Sequence, residues 1–180
     1  MSRVVLSIGS NLGDRVARLQ SVVDALGERL RAVSPVYETD PWGGVDQGPF
    51  LNAVVIGDDP DLDGPGWLQF AQDLEQAADR VRGQKWGPRT LDVDLVTVHK
   101  GSEGAAEVFS RSDGLTLPHP LAHLRAFVLV PWLDVDPDAE ITVAGEMRSV
   151  VRLLDDLPAG DRDGVRLTGV VLALPTGPDR

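Results

Sequence analysis

Hydrophobic residues in the first half of the chain switch between a two-residue and a 3.6-residue period, and the order of those switches leaves few folds open. "RVVLSI" is a short β-rich run brought to an end by the turn residues of "GSNLGD". "RVARLQSVVDALGERL" then carries Val16, Leu19, Val22, Val23, Leu26 and Leu30 at helical spacing, with Asn11 or Asp14 able to cap its start. "AVSPVYET" and "FLNAVVIG" read as two strands joined by the loop "DPWGGVDQGP", whose Gly and Pro content forbids regular structure. A second amphipathic helix fits Trp67, Ala71, Leu74, Ala78 and Val81 along one stripe, with Gln72, Glu75 and Asp79 opposite. "TLDVDLVTV" closes the series as a strand. The resulting β-α-β-β-α-β order predicts an α+β fold with a ferredoxin-like core, an antiparallel sheet with its helices on one face.

Beyond this core, "KGSEGAAEVFSRSDG" is polar and glycine-rich and reads as a loop or hairpin insertion over residues 100–114. "LTLPHPLAHLRAFVLVPWLDVDP" resumes order with an extended piece, a short helical turn and an apolar run. "MRSVVRLLDDL" predicts a late helix, and "VRLTGVVLAL" can add an edge strand within an extension over 158–180. A length of 180 residues with 42% hydrophobic content is enough for one ordinary core, so one domain over 1–180 is expected.

The formal net charge of −11 argues against nucleic-acid or anionic-membrane partners, which select basic faces. Any anionic ligand must then be met by a local positive cluster or through metal ions. Cysteine is absent, which removes disulfides and thiolate chemistry. The apolar part of "MSRVVLSIGSN" is too short for a signal peptide, and no apolar run reaches the roughly 18 residues of a membrane helix. A cytoplasmic monomer acting on small molecules is the expectation.

Alternation along "TLDVDLVTV" puts Asp92 and Asp94 on one face and Leu91, Val93 and Leu95 on the other. Two carboxylates side by side on a half-buried face repel, a cost that a hard divalent cation such as Mg²⁺ removes. A solvated strand end would carry the same pattern. Just upstream, Arg80, Arg82, Lys85 and Arg89 place four of the 17 basic residues within one short span, interleaved with Gly83, Trp86, Gly87 and Pro88. The bland reading is a solvated connection; the sharper one is a cationic lid over phosphates. Carboxylates on the strand with cations on the lid suit phosphoryl-type transfer, whose catalysis is mostly positioning and charge neutralisation.

No G-x-x-x-x-G-K-[ST] or G-x-G-x-x-G motif is present, so the usual nucleotide folds are disfavoured. Trp42, Phe50 and Asn52 surround a bent loop, and Phe127 lies further on. These aromatics can cap a core, or they can stack a flat heterocycle whose edge an Asn amide reads as both donor and acceptor. "DPDLDG" opens like a calcium loop, but its twelfth position is Phe70 where a bidentate acid is needed. His119 and His123 lack the further soft ligands that zinc requires.

"KWGPRTLDVDLV", with "SIGSNLGD", "YETDPWG", "FLNAVV", "LEQAADRVR", "LPHP" and "RAFVLVPW" in that order, resembles the hydroxymethyldihydropterin pyrophosphokinase family of folate biosynthesis from Met1 to about Leu157. The resemblance implies transfer of the β,γ-pyrophosphoryl group of ATP to the pterin's hydroxymethyl oxygen, with release of AMP. It implies that Asp92 and Asp94 bind two Mg²⁺ ions, that Arg80, Arg82 and Arg89 contact phosphates, and that Trp86 closes over the site. Phe50 and Phe127 would sandwich the pterin, Asn52 and Thr39 would read its edge, and Trp42 and Gly43 would shape the pocket. Gln72, Glu75, Thr116, His119 and Arg125 would line the nucleotide side. Gly114 and Pro120 depart from the arginine and tyrosine of some members. Two rivals remain open at this level: another Mg-ATP transferase or hydrolase, which would not need the aromatic sandwich, and an acidic regulatory module that binds nucleotide without producing AMP.

Overall fold

The computed structural model describes residues 1–41, 48–80, 90–101 and 106–175, apart from the side chains of 79 and 80. Strand β1 (Ser2–Ser10) leads into helix α1 (Arg15–Leu26), where the Asp14 carboxylate accepts from the Ala17 amide at 3.0 Å, one of the two caps foreseen. Leu19, Val22, Val23 and Leu26 are buried along its inner stripe, whereas Val16 is exposed. The helix stops at Leu26 because Gly27 takes a left-handed φ of 55°, so Leu30 begins the next strand rather than extending the stripe.

"AVSPVYET" is not one strand. It divides into β2 (Leu30–Val33) and β3 (Tyr37–Thr39), and both pair with the long β4 (Phe50–Asp59) at different heights. Pro35 has no N–H to give to a ladder, so the chain steps out there, and Ser34 bridges the step through its backbone and its hydroxyl to Val54. Helix α2 (Gly64–Arg80) buries Trp67, Ala71 and Ala78, with Leu74 partly buried. The Trp67 indole donates to Ser2 Oγ at 2.9 Å, fixing the helix to the start of β1. Strand β5 (Asp92–Lys100) pairs with β1, and the two-residue β6 (Ala106–Glu107) lies outside it.

After a hairpin of β7 (Ser110–Ser112) and β8 (Leu115–Leu117) come helix α3 (Ala126–Val135), a second hairpin of β9 (Glu140–Val143) and β10 (Glu146–Ser149), and helix α4 (Val150–Asp156). The short helix α5 (Ala159–Asp163) and strand β11 (Val165–Leu167) close the order. The "MRSVV" start predicted as helix is thus divided, its first residues pairing in β10. The main sheet is antiparallel throughout, in the order β11-β3-β4-β1-β5-β6, with β2 also on β4.

The ferredoxin-like core is as expected: α1 and α2 cover one face, packing on Val4, Leu6, Ile8, Val55, Val93 and Leu95. The opposite face carries a second core. Val5, Val54, Ile56 and Val96 pack there on Leu129 and Trp132 of α3 and Val150 and Leu153 of α4. Among the described residues this second layer covers only part of its face, and Asn52, Asp92 and Asp94 lie on the rest. Among the described residues no helix is long and apolar enough to cross a membrane.

Tyr37 ties the two layers, its hydroxyl donating to Asp134 Oδ2 of α3. Burial first, and then that hydrogen bond, push the phenol from its ordinary value of 10 up to about 12. A raised acid pKa means the neutral phenol is favoured in the fold, so its contribution to stability is complete below pH 10 and is lost as pH rises through about 12. Because the chain has one tyrosine, its tyrosinate absorbance should titrate with a single midpoint near 12, and Asp134→Ala should lower that midpoint without returning it to 10, because burial still raises it.

Candidate active site

Strand β5 answers the puzzle of two acids within a buried sheet. Leu91, Val93 and Leu95 are buried against α1 and α2, while Asp92 and Asp94 turn to the uncovered face, where the Asp94 side chain keeps 44% of its surface exposed. The alternation then breaks. Val5 of β1 pairs with Thr97 and Leu6 with Leu95, so Val96 has no partner on β1 and forms a bulge. Past the bulge the parity is inverted, and Val98 returns to the same core as Leu95. The Val96 carbonyl accepts from the His119 amide at 2.9 Å, which brings His119 toward Asp94.

The row of the sheet through Asp92 crosses Gly9 of β1 and Asn52 of β4. With strands spaced about 4.8 Å apart, Asp92 and Asn52 stand roughly 10 Å from one another on the same face. Gly9 leaves the floor between them bare, and a Cβ there would lie 2.6 Å from Asn52 Oδ1 and 3.6 Å from the Phe50 ring. Glycine inside a strand marks such a close approach. The Asn52 Nδ2 donates to Thr39 Oγ1 at 2.5 Å, with both residues buried, which fixes the amide's orientation and leaves Oδ1 over the bare floor.

Phe50 and Phe127 are both half-buried, on β4 and at the start of α3. The Arg125 guanidinium lies 5.6 Å from the Phe127 ring centre and 3.9 Å from Asp94 Oδ2, and is itself only 18% exposed. One cation therefore touches both the aromatic side and the carboxylate side of the site. The Nδ1 of His119 accepts from the Leu121 amide at 3.1 Å, so in the neutral ring the proton sits on Nε2. Burial holds the His119 pKa below its ordinary value; Asp94 opposes that shift and Arg125 adds to it.

Glu75 is not a purely solvent-facing residue of α2. It is half-buried, and its Oε1 accepts from the Val93 amide at 3.4 Å, on the edge of β5 away from β1. That edge presents an N–H needing an acceptor, which draws the carboxylate inward. Gln72 and Thr116 are exposed on α2 and β8. Gly114 adopts a left-handed φ of 87° in the β7–β8 turn, a conformation glycine takes without cost, and Pro120 is exposed after His119.

A model of the 7,8-dihydro-6-hydroxymethylpterin-pyrophosphokinase family matches residues 5–137. The 2-amino-4-hydroxy-6-hydroxymethyldihydropteridine pyrophosphokinase of Mycobacterium tuberculosis strain H37Rv is 63% identical over 169 residues, covering 93% of this chain and 90% of the relative. The protein of the same description from Mycobacterium leprae is 62% identical over 177 residues, covering 97% and 93%. The chain belongs to this pyrophosphokinase family. Membership makes it a transferase, which removes the hydrolase and regulatory-module rivals. In fold it is similar to Plasmodium falciparum HPPK-DHPS crystallised with pterin and p-hydroxybenzoate, at a TM-score of 0.61 and 14% identity over 86% of this chain and 42% of that longer one.

For a pyrophosphokinase the described face brings together Thr39, Phe50, Asn52, Asp92, Asp94, His119, Arg125 and Phe127 from separate parts of the sequence. Trp42, Gly43, Arg82, Lys85, Trp86 and Arg89, with the side chain of Arg80, lie outside the described residues. Gly9 was missed from the sequence because "GSNLGD" reads as a turn, whereas β1 continues through Ser10. The one signal in the sequence was a glycine directly after the apolar strand run; its pairing with Asp92 is visible only in the register.

Proposed function

We propose that the protein transfers the β,γ-pyrophosphoryl group of ATP to the hydroxymethyl oxygen of 6-hydroxymethyl-7,8-dihydropterin and releases AMP, with the pterin lying on the bare floor at Gly9. The supporting observation is the single sheet row that sets Asn52 on one side of that floor and Asp92 on the other. An amide with Oδ1 over the floor accepts from a ring N–H, while its Nδ2 stays with Thr39. The ring then stacks between Phe50 and Phe127, which directs its hydroxymethyl arm toward Asp92 and Asp94.

Asp92 and Asp94 suit a hard cation. They are two carboxylate side chains on one partly open face, and among the described residues no cluster of three or more His, Cys, Asp or Glu forms a full protein cage. Mg²⁺ is commonly held in this way, by one or two carboxylates and the substrate's phosphates. Two Mg²⁺ ions held by Asp92 and Asp94 would neutralise the triphosphate and polarise the group in transit.

In the reaction the alcohol oxygen bonds to the β-phosphorus while the bond from that phosphorus to the α,β-bridging oxygen breaks, leaving AMP. Arg125, permanently charged, faces the phosphate charge and holds Phe127 in place. Neutral His119 donates from Nε2 toward the nucleotide. No strong base stands beside the alcohol among these groups; in a loose transition state its proton leaves late. Arg80, Arg82 and Arg89 add phosphate contacts, and Trp86 closes the site. Glu75, Gln72 and Thr116 line the nucleotide side, and the enzyme works as a cytoplasmic monomer on small molecules.

The deciding experiment incubates the protein with ATP, Mg²⁺ and the reduced pterin alcohol and identifies the nucleotide product. AMP in equal amount to pterin diphosphate is expected; ADP would overturn this reading.

A further inference from the structure

Strand β3 is three residues long and carries Thr39, the partner of the Asn52 amide. Alone it would be the edge of the sheet, and short edge strands open easily. The C-terminal extension removes that edge. β11 pairs along the whole of β3, with Val165 against Thr39, Arg166 against Glu38 and Leu167 against Tyr37. The backbone contact continues beyond both ends, from Asp40 N to Gly164 O and from Val36 N to Val170 O, each at 3.1 Å.

Side chains add a network. Arg166 reaches Asp40 Oδ1 at 3.1 Å and Glu38 Oε1 at 3.8 Å. Glu38 in turn takes Arg15 at 3.4 Å, and the same Arg15 nitrogen donates to the Pro49 carbonyl at 3.0 Å. Asp40 and Pro49, at the two ends of the β3–β4 connection, are thereby tied through Arg166, Glu38 and Arg15. Exposed ion pairs of this kind add little to global stability, so the use of the network is positional.

The extension has its own anchor. Leu172 is buried in the α1–α2 core, and Gln20 exchanges hydrogen bonds with the backbone of Ala173 at 2.8 and 2.9 Å. Gly160, Gly164 and Val165 also wall a cavity of about 110 Å³ whose other side is Thr39 and Phe127. Gly164 permits the close approach: a Cβ there would lie 3.1 Å from Asp40 Oδ2 and 3.5 Å from the Gly160 carbonyl.

We propose that residues 158–175 are a positioning clamp that fixes β3, and through Thr39 the Asn52 amide, so that the extension sets affinity for the pterin without entering the chemistry. This rests on the reading of Thr39 and Asn52 as contacts to the pterin edge. Arg166 is the positioning residue, and Gly164 is the second point at which the clamp can be loosened.

The test uses the full chain, with AMP release measured against varied pterin and varied ATP for Arg166→Ala, Arg166→Lys, Gly164→Val and Asn52→Ala. Arg166→Ala and Gly164→Val are expected to raise the pterin KM about fivefold or more while kcat and the ATP KM stay within about twofold, with Arg166→Lys recovering much of the loss. A merely structural extension would instead lower the melting temperature and move both KM values together, which overturns the clamp. So does an unchanged pterin KM in both extension variants when Asn52→Ala raises it. An unchanged pterin KM in Asn52→Ala would overturn the pterin-site reading and the clamp with it.

Discussion

Replacing Asp94 by alanine is expected to cut kcat/KM by at least about a thousandfold, on the order of 4 kcal/mol of transition-state stabilisation, while the protein stays folded. The carboxylate points to the open face beside Asp92, and Arg125, 3.9 Å away, makes only a loose pair with it. Its removal therefore opens no cavity, so a melting temperature within a few degrees of the parent is expected. The proposed chemistry has no such reserve, because neither the neighbouring cation nor neutral His119 could replace an anionic ligand for Mg²⁺. Single-turnover AMP release with saturating substrates, alongside thermal unfolding, checks both halves. A variant within tenfold of the parent rate would take Asp94 out of the metal site.

Gly9→Ala is the second large effect. The new methyl would sit 2.6 Å from Asn52 Oδ1, closer than Cβ atoms come, so the amide must swing and break its bond to Thr39. It would also rise into the floor proposed for the ring. Losing one oriented buried hydrogen bond costs about 1–3 kcal/mol, which corresponds to a rise in pterin KM of roughly fivefold to 150-fold. Asn52 can move without displacing backbone, so the fold should persist and the ATP KM should hold. Pterin fluorescence titration with a non-hydrolysable ATP analogue measures the affinity directly; a change under twofold would mean that the ring lies elsewhere.

Sequence periodicity was a sound guide where a segment packs against one layer. The α1 stripe, the Trp67–Ala78 stripe and the outward turn of Asp92 and Asp94 each follow from a single buried side. It failed where two requirements compete for the same residues. "AVSPVYET" has the composition of one strand, but Pro35 divides it so that β4 gains two short partners. Glu75 has the spacing of a solvent residue, yet the Val93 N–H draws it in. The extension past Pro158 showed an edge strand in its apolar run, but its salt-bridge partners, Glu38 and Asp40, lie far away in sequence and could not be foreseen. Pairing Asn52 with Thr39 depended likewise on strand register, which composition does not encode.

The bulge at Val96 has a consequence for how this strand can vary. One surplus residue acts as a phase shifter: the acids at 92 and 94 keep time with one layer, Val98 with the other, and His119 is moored at the point of slip. Excising Val96 would restore an unbroken beat with the acids and Val98 keeping their sides, but it would remove the carbonyl that moors His119. An insertion elsewhere in 92–98 has no such compensation, since one further residue would carry either the acids or Val98 to the wrong side of the sheet.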